Sequence, residues 1–155
     1  NTEMDLLLVN LVLLGLRGGD LSRLPEYCER VSRATGVPIP ANYPVFGADA
    51  FRTGTGVHAA AIIKAKDKGD DWLADRVYSG VPAGLFGLRQ EIEISHVSGM
   101  SNVKYWLRDR GYDPTDDALS QRVFELAKRA DRVLREEEIH ACCREYGAVP
   151  GQVEA

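Results

Sequence analysis

Residues 45–64 read VFGADAFRTGTGVHAAAIIK, and this stretch decides how the rest of the chain is parsed. Its first half carries Gly47, Gly54 and Gly56 among small and polar residues and reads as loop. Its second half, rich in Ala with Ile62 and Ile63, reads as a short helix over residues 57–65. The run Thr53-Gly54-Thr55-Gly56 therefore leads straight into a helix N-terminus, with His58 in the first turn. Glycine lets the backbone approach a ligand or another segment closely, and a helix N-terminus carries partial positive charge. A histidine held there can face a bound anion or a reacting hydroxyl; the same position also suits one that only hydrogen-bonds the helix end.

Before this stretch, Thr2 can cap a first helix running to about Leu16 and stopping at Gly18-Gly19, with Asp5 at the capping-box position. Its leucines and valines leave almost no polar face, so it calls for neighbours on most sides. Asp20 or Ser22 starts a second helix, with Pro25 in its first turn, Gly36 at its end and a buried stripe of Leu24, Tyr27, Cys28 and Val31. Val37-Pro38-Ile39-Pro40 and Tyr43-Pro44 then force an extended path. After it, a short helix is expected over residues 70–75 with Trp72 and Leu73 buried, and a period-two strand over 90–95. Helices are expected over 101–110, 115–130 and 135–146, with Gly111 and Gly147 as C-terminal stops and Pro114, Asp116 and Asp117 suiting the start of the middle one. The fold class is thus mostly α with a small β element (α+β). It divides into terminal helices at 1–36, an extended Pro-rich linker at 37–50, a helical subdomain with a short strand at 51–147 and a frayed tail at 148–155.

With 155 residues, 45% hydrophobic and 27% charged, the chain has the composition of a globular domain. A net charge of −4, with bases scattered among acids, gives no footprint for nucleic acid. The apolar run at residues 6–16 is interrupted by Asn10 and too short to cross a bilayer, so no membrane partner is expected. Cys28, Cys142 and Cys143 form neither a CxxC pair nor a disulfide framework and read as reduced thiols of a cytoplasmic protein. No HxH, HExxH, phosphate-loop or dinucleotide signature is present, and His58, His96 and His140 are too scattered to propose a metal site. His140, beside Glu136-Glu137-Glu138, reads as solvated, and His96 as a structural partner for Ser98.

Further landmarks follow His58 in order: Lys64, Tyr78, Pro82, Gly87 and Ser98-Gly99. Together with Phe51 and Thr55-Gly56-Val57-His58, this order resembles the segment after the catalytic barrel in the 2-isopropylmalate synthase family, which includes homocitrate and citramalate synthases. The likeness covers about residues 1 to 110. It implies a helical C-terminal segment of a TIM-barrel acyltransferase that joins acetyl-CoA to a 2-oxo acid, 3-methyl-2-oxobutanoate first among them, as in leucine biosynthesis. It further implies a homodimer in which this segment reaches the partner's barrel, and a divalent metal (Mg²⁺ or Mn²⁺) bound by the barrel rather than by this segment. By the same resemblance His58 and Tyr78 would be catalytic, His58 in proton transfer and Tyr78 as a hydrogen-bond donor to the reacting oxygens. Thr55, Gly56, Ser98 and Gly99 would support the substrate, and Asn1 would lie near the metal.

The chain departs from the family pattern where many members have His (here Thr53), Gln-Asp (Ala59-Ala60) and a basic residue (Met100). These departures bear on the choice of substrate more than on the reaction class. An opening Asn-Thr-Glu-Met-Asp reads as a fragment of a longer polypeptide, expected to be inactive alone. The alternatives are a citramalate or homocitrate synthase segment and, in a different class, a non-catalytic helical dimerisation or regulatory module.

Overall fold

The structure, a computed structural model, describes residues 2–151. Among them are seven α-helices and one two-stranded sheet, the mostly α fold with a small β element expected. The chain forms two compact units. One comprises the chain up to Arg52 together with Asp75–Gln90; the other comprises Thr53–Ala74 with everything described from Glu91 on.

In the first unit, α1 (Met4–Leu13) and α2 (Leu24–Thr35) pack with the segment that follows them. Val9, Leu24, Cys28, Val45 and Phe86 form the buried centre, flanked by Leu6, Ile39, Phe51 and Val81. α1 is shorter than the apolar run suggests. It starts at Glu3 rather than Thr2, without a side-chain cap, and unwinds where Gly15 takes φ 69°. Only Val9 of α1 is buried, and Leu7, Leu13, Leu14 and Leu16 remain exposed. α2 has Pro25 in its first turn and Gly36 at φ 71° closing it as expected, but its N-cap is Arg23, without a side-chain cap bond, rather than Asp20 or Ser22. Its stripe is narrower than predicted, because Leu24 and Cys28 are buried while Tyr27 and Val31 are exposed. A single 3-10 turn, Ala83–Phe86, buries Ala83 and Phe86 and ends at Gly87. A Cβ on Gly87 would lie 2.6 Å from the Ser22 carbonyl oxygen, so only glycine allows this approach.

The second unit contains α3 (Gly56–Asp67), α4 (Asp71–Ala74), α5 (Met100–Asp109), α6 (Asp117–Arg129) and α7 (Glu136–Tyr146). α3 packs on α5, α5 on α6 and α6 on α7. The core joins Ile94, Val103, Trp106, Leu107, Tyr112, Leu119, Val123, Ile139 and Cys143. Asp116 caps α6 by accepting the Leu119 N–H at 2.9 Å, and Gly147 closes α7 at φ 93°.

Three expectations need correcting here. α4 is one turn long and buries only Ala74, so Trp72 and Leu73 lie exposed. The strand predicted over 90–95 narrows to β2 (Glu91–Ile92), paired with β1 (Arg52–Thr53). Beyond it the backbone divides its bonds: Glu93 N–H donates to the Thr53 carbonyl, while the Ile94 carbonyl accepts from Leu134 N–H at 2.8 Å. His140 is not solvated either. Its Nδ1 lies 2.7 Å from the Tyr112 hydroxyl and its ring is tilted against Trp106 with centroids 5.1 Å apart. The three cysteines are free and buried.

Candidate active-site loop and its support

The Gly/Thr run and the Ser98-Gly99 turn, far apart in sequence, meet in the second unit. Thr55 is the N-cap of α3 in an extended conformation, and Gly56 opens the helix. The Gly56 N–H donates to the Val97 carbonyl at 3.2 Å, so one orphan donor of the first turn is answered by the opposing turn. The approach is close. A Cβ on Gly56 would lie 2.7 Å from the Gly99 nitrogen and 3.2 Å from its Cα, so this position requires glycine for space rather than for φ. Gly54 is less constrained, since its nearest neighbour would be the Ser95 hydroxyl at 3.3 Å.

Ser98 is buried and central. Its hydroxyl donates to the Gly54 carbonyl at 2.5 Å and accepts from the Ser95 N–H at 2.8 Å. The predicted Ser98–His96 partnership is replaced by these backbone bonds. Two further residues, not legible as functional from sequence, complete the support. Asn102 joins residues 54, 93 and 99 through its side-chain amide. Lys128 of α6 donates from Nζ to the carbonyls of His96 at 2.6 Å and Ser98 at 2.8 Å. The signal for Asn102 was its place three residues after Gly99 at a helix start, where a polar side chain reaches back to the turn. Lys128 had no local signal, because its partners are some thirty residues away.

Thr55, Gly56, Ser98 and Gly99 are thus brought together, and His58 stands exposed in the first turn of α3 beside them in the chain. Tyr78 belongs to the first unit and is half exposed. It borders a cleft of about 370 Å³ with Tyr43, Pro44, Asp49, Phe51 and Ser79. Val45 and Phe51, both lining this cleft, hold φ of 66° and 61°. A β-branched or bulky residue adopts that region only when its surroundings enforce it. Asn1 lies outside the described residues. Among the described residues no group of three or more His, Cys, Asp or Glu side chains could hold a metal ion.

The first unit has a second cleft, about 380 Å³, between α1, α2 and the Pro-rich segment, lined mainly by Val31, Val37, Pro38, Ile39 and Pro40. At its edge the Asp5 carboxylate accepts from the Tyr43 hydroxyl at 3.2 Å and from the Cys28 thiol at 3.6 Å. Burial first, then the Asp5 charge, pushes Cys28 up to about 11. Burial and the bond to Asp5 push Tyr43 up to about 12. Both shifts favour the protonated forms, which argues against a nucleophilic role for Cys28.

The chain is 32% identical over 118 residues to the "Probable 2-isopropylmalate synthase" of Ignicoccus hospitalis, covering 76% of this chain and 27% of that protein. It is 30% identical over 97 residues to the homocitrate synthase of Pyrococcus horikoshii, covering 63% of this chain and 24% of that protein. It is 28% identical over 114 residues to the (R)-citramalate synthase of Aquifex aeolicus, covering 74% and 19%. This chain is homologous to a segment of the 2-isopropylmalate synthase family. It spans about a fifth to a quarter of the length of these curated relatives. No family model matches it. Among the described residues no helix is long and apolar enough to cross a membrane.

Proposed function

We propose that this chain is the segment of an acetyl-CoA-dependent acyltransferase that brings His58 and Tyr78 to a condensation of acetyl-CoA with a 2-oxo acid, 3-methyl-2-oxobutanoate first. The observation that carries the reading is the docking of the Gly54–Thr55–Gly56 loop on the Ser98-Gly99 turn, which fixes the helix start that presents His58. A catalytic base needs its backbone held before substrate arrives, and a loop bonded through Ser98, Asn102 and Lys128 meets that need.

In this reading the exposed His58 imidazole exchanges a proton with the acetyl carbon or with the alkoxide formed on the acceptor. The Tyr78 hydroxyl donates a hydrogen bond to a reacting oxygen. The thioester is then hydrolysed, releasing free CoA. In this reading the divalent metal that the family resemblance implies is held by the barrel, and the segment alone is expected to turn over no substrate. Relatives named for three different products leave the acceptor to experiment. We further assign the working enzyme to a homodimer in the cytoplasm.

The test is CoA release by the full-length enzyme with Mg²⁺ and acetyl-CoA, offering 3-methyl-2-oxobutanoate, pyruvate and 2-oxoglutarate in turn. His58→Ala is expected to lower kcat about 100-fold or more with the preferred acceptor. An unchanged kcat in that variant would leave His58 a structural residue and favour the non-catalytic dimerisation module.

A further inference from the structure

Asn102 is completely buried in the first turn of α5, and its side-chain amide bonds three backbone segments at once. Nδ2 donates to the Glu93 carbonyl at 3.0 Å and to the Gly54 carbonyl at 3.3 Å, and Oδ1 accepts from the Gly99 N–H at 3.2 Å. The orientation of the amide follows from this network. Turned over, it would set its oxygen against two carbonyls and its NH₂ against an N–H. Ser98 cannot substitute for it. The single Ser98 proton is directed at Gly54, with the Glu93 carbonyl 3.3 Å from the same hydroxyl, and without Asn102 the part-buried Gly99 N–H would lose its side-chain acceptor. Gly54 and Gly56 have no side chains to supply these bonds, and the Thr55 N-cap makes no side-chain cap bond.

We propose that Asn102 is a positioning residue for the reaction: one buried amide ties Gly54, Glu93 and Gly99 together and so holds the first turn of α3, with His58, in register. It touches neither substrate nor the reacting atoms; it acts through the loop. This inference rests on the catalytic role assigned to His58 above. Its consequence is a defect in turnover rather than in binding, since a displaced base spoils the reacting geometry while leaving uniform substrate contacts in place.

The experiment measures kcat and KM of the full-length enzyme carrying Asn102→Ala or Asn102→Asp, each also combined with His58→Ala. Asn102→Asp keeps the volume and the bond from Gly99 but removes both donors, so it decides the matter should the alanine variant fail to fold. Val103→Ala, at the completely buried neighbouring position, controls for loss of packing. The expected result is a fall in kcat of about 10- to 100-fold with KM values within about threefold. Non-additivity is the second expected sign: Asn102→Ala adds almost no further loss once His58 is alanine. Val103→Ala lowers Tm but leaves kcat within about twofold. A folded Asn102 variant with unchanged kcat overturns the proposal, as does a loss that multiplies in the His58→Ala background. If His58→Ala alone leaves kcat intact, the catalytic reading itself has failed, and that outcome is separate from the Asn102 result.

Discussion

Gly56→Ala puts a single methyl group where the second unit is tightest. The new Cβ would lie 2.7 Å from the Gly99 nitrogen and 3.2 Å from its Cα, with the Ser98 carbonyl carbon at 3.4 Å. All three are backbone atoms, so no rotamer change relieves the clash, and the loop must part from the turn by about an ångström. Overpacking of this kind costs about 1–3 kcal/mol, while the helix-forming advantage of Ala over Gly returns about 0.5–1 kcal/mol. Taking the middle of both ranges, the net loss is about 1 kcal/mol, or about 2–4 °C in Tm for a chain of this size. Gly54→Ala is the matched control: its Cβ would meet only the Ser95 side chain, at 3.3 Å and beyond, and a shift of about 1 °C or less is expected. Thermal unfolding of the chain followed by circular dichroism reads the effect on stability, and CoA release by the full-length enzyme carrying the same substitutions reads the effect on turnover. A Gly56→Ala protein as stable as the parent, or more stable, would refute the reasoning, because helix propensity alone predicts that sign.

Ser120 is fully buried on α6, and its hydroxyl lacks a hydrogen-bond partner among the described residues, so Ser120→Ala should be neutral or raise stability by up to about 1 kcal/mol in urea unfolding. Lys128→Met keeps the aliphatic stem but removes the donors to His96 and Ser98; a loss of about 1 kcal/mol is expected, discounted for the exposure of the lysine, and a Tm unchanged within error would show those bonds to be dispensable. The pKa values of Cys28 and Tyr43 are raised on folding, so between the unfolded and folded values the unfolded chain binds fewer protons and stability falls as pH rises. The fall should begin near pH 9 and continue to about 11 for Cys28, with Tyr43 extending it towards 12. Cys28→Ala should delete the lower part of that alkaline slope, and an unaltered slope would contradict the assignment.

Helix positions were legible because their signals are local. Pro25 and Gly36 bracket α2, Asp116 starts α6 and Gly147 ends α7, each through its own backbone chemistry. Burial was less legible. Tyr27, Val31 and Trp72 have the residue types of a core but lie exposed, since hydrophobicity names a candidate and only tertiary contacts decide. His140 failed in the other direction: three adjacent glutamates suggested solvent, but Tyr112 and Trp106, about thirty residues earlier, enclose the ring. At the candidate site, Gly56, Ser98 and Gly99 were found as an ordered set, while Asn102 and Lys128 emerged only when distant segments met. Long-range hydrogen bonds leave no periodicity to read.

The first unit is discontinuous: the chain leaves it after Arg52 and comes back at Asp75. During synthesis on a ribosome, α1 and α2 emerge early, yet Phe86, which belongs to their buried centre, follows only after α3 and α4 have been made. At about 5–20 residues per second, the leucines of α1 wait several seconds for that side chain. α3 waits in turn for α5, because the turn that receives Gly56 is translated still later. The two units therefore cannot mature one after the other like beads on a string. Each is completed only after part of the other has been made.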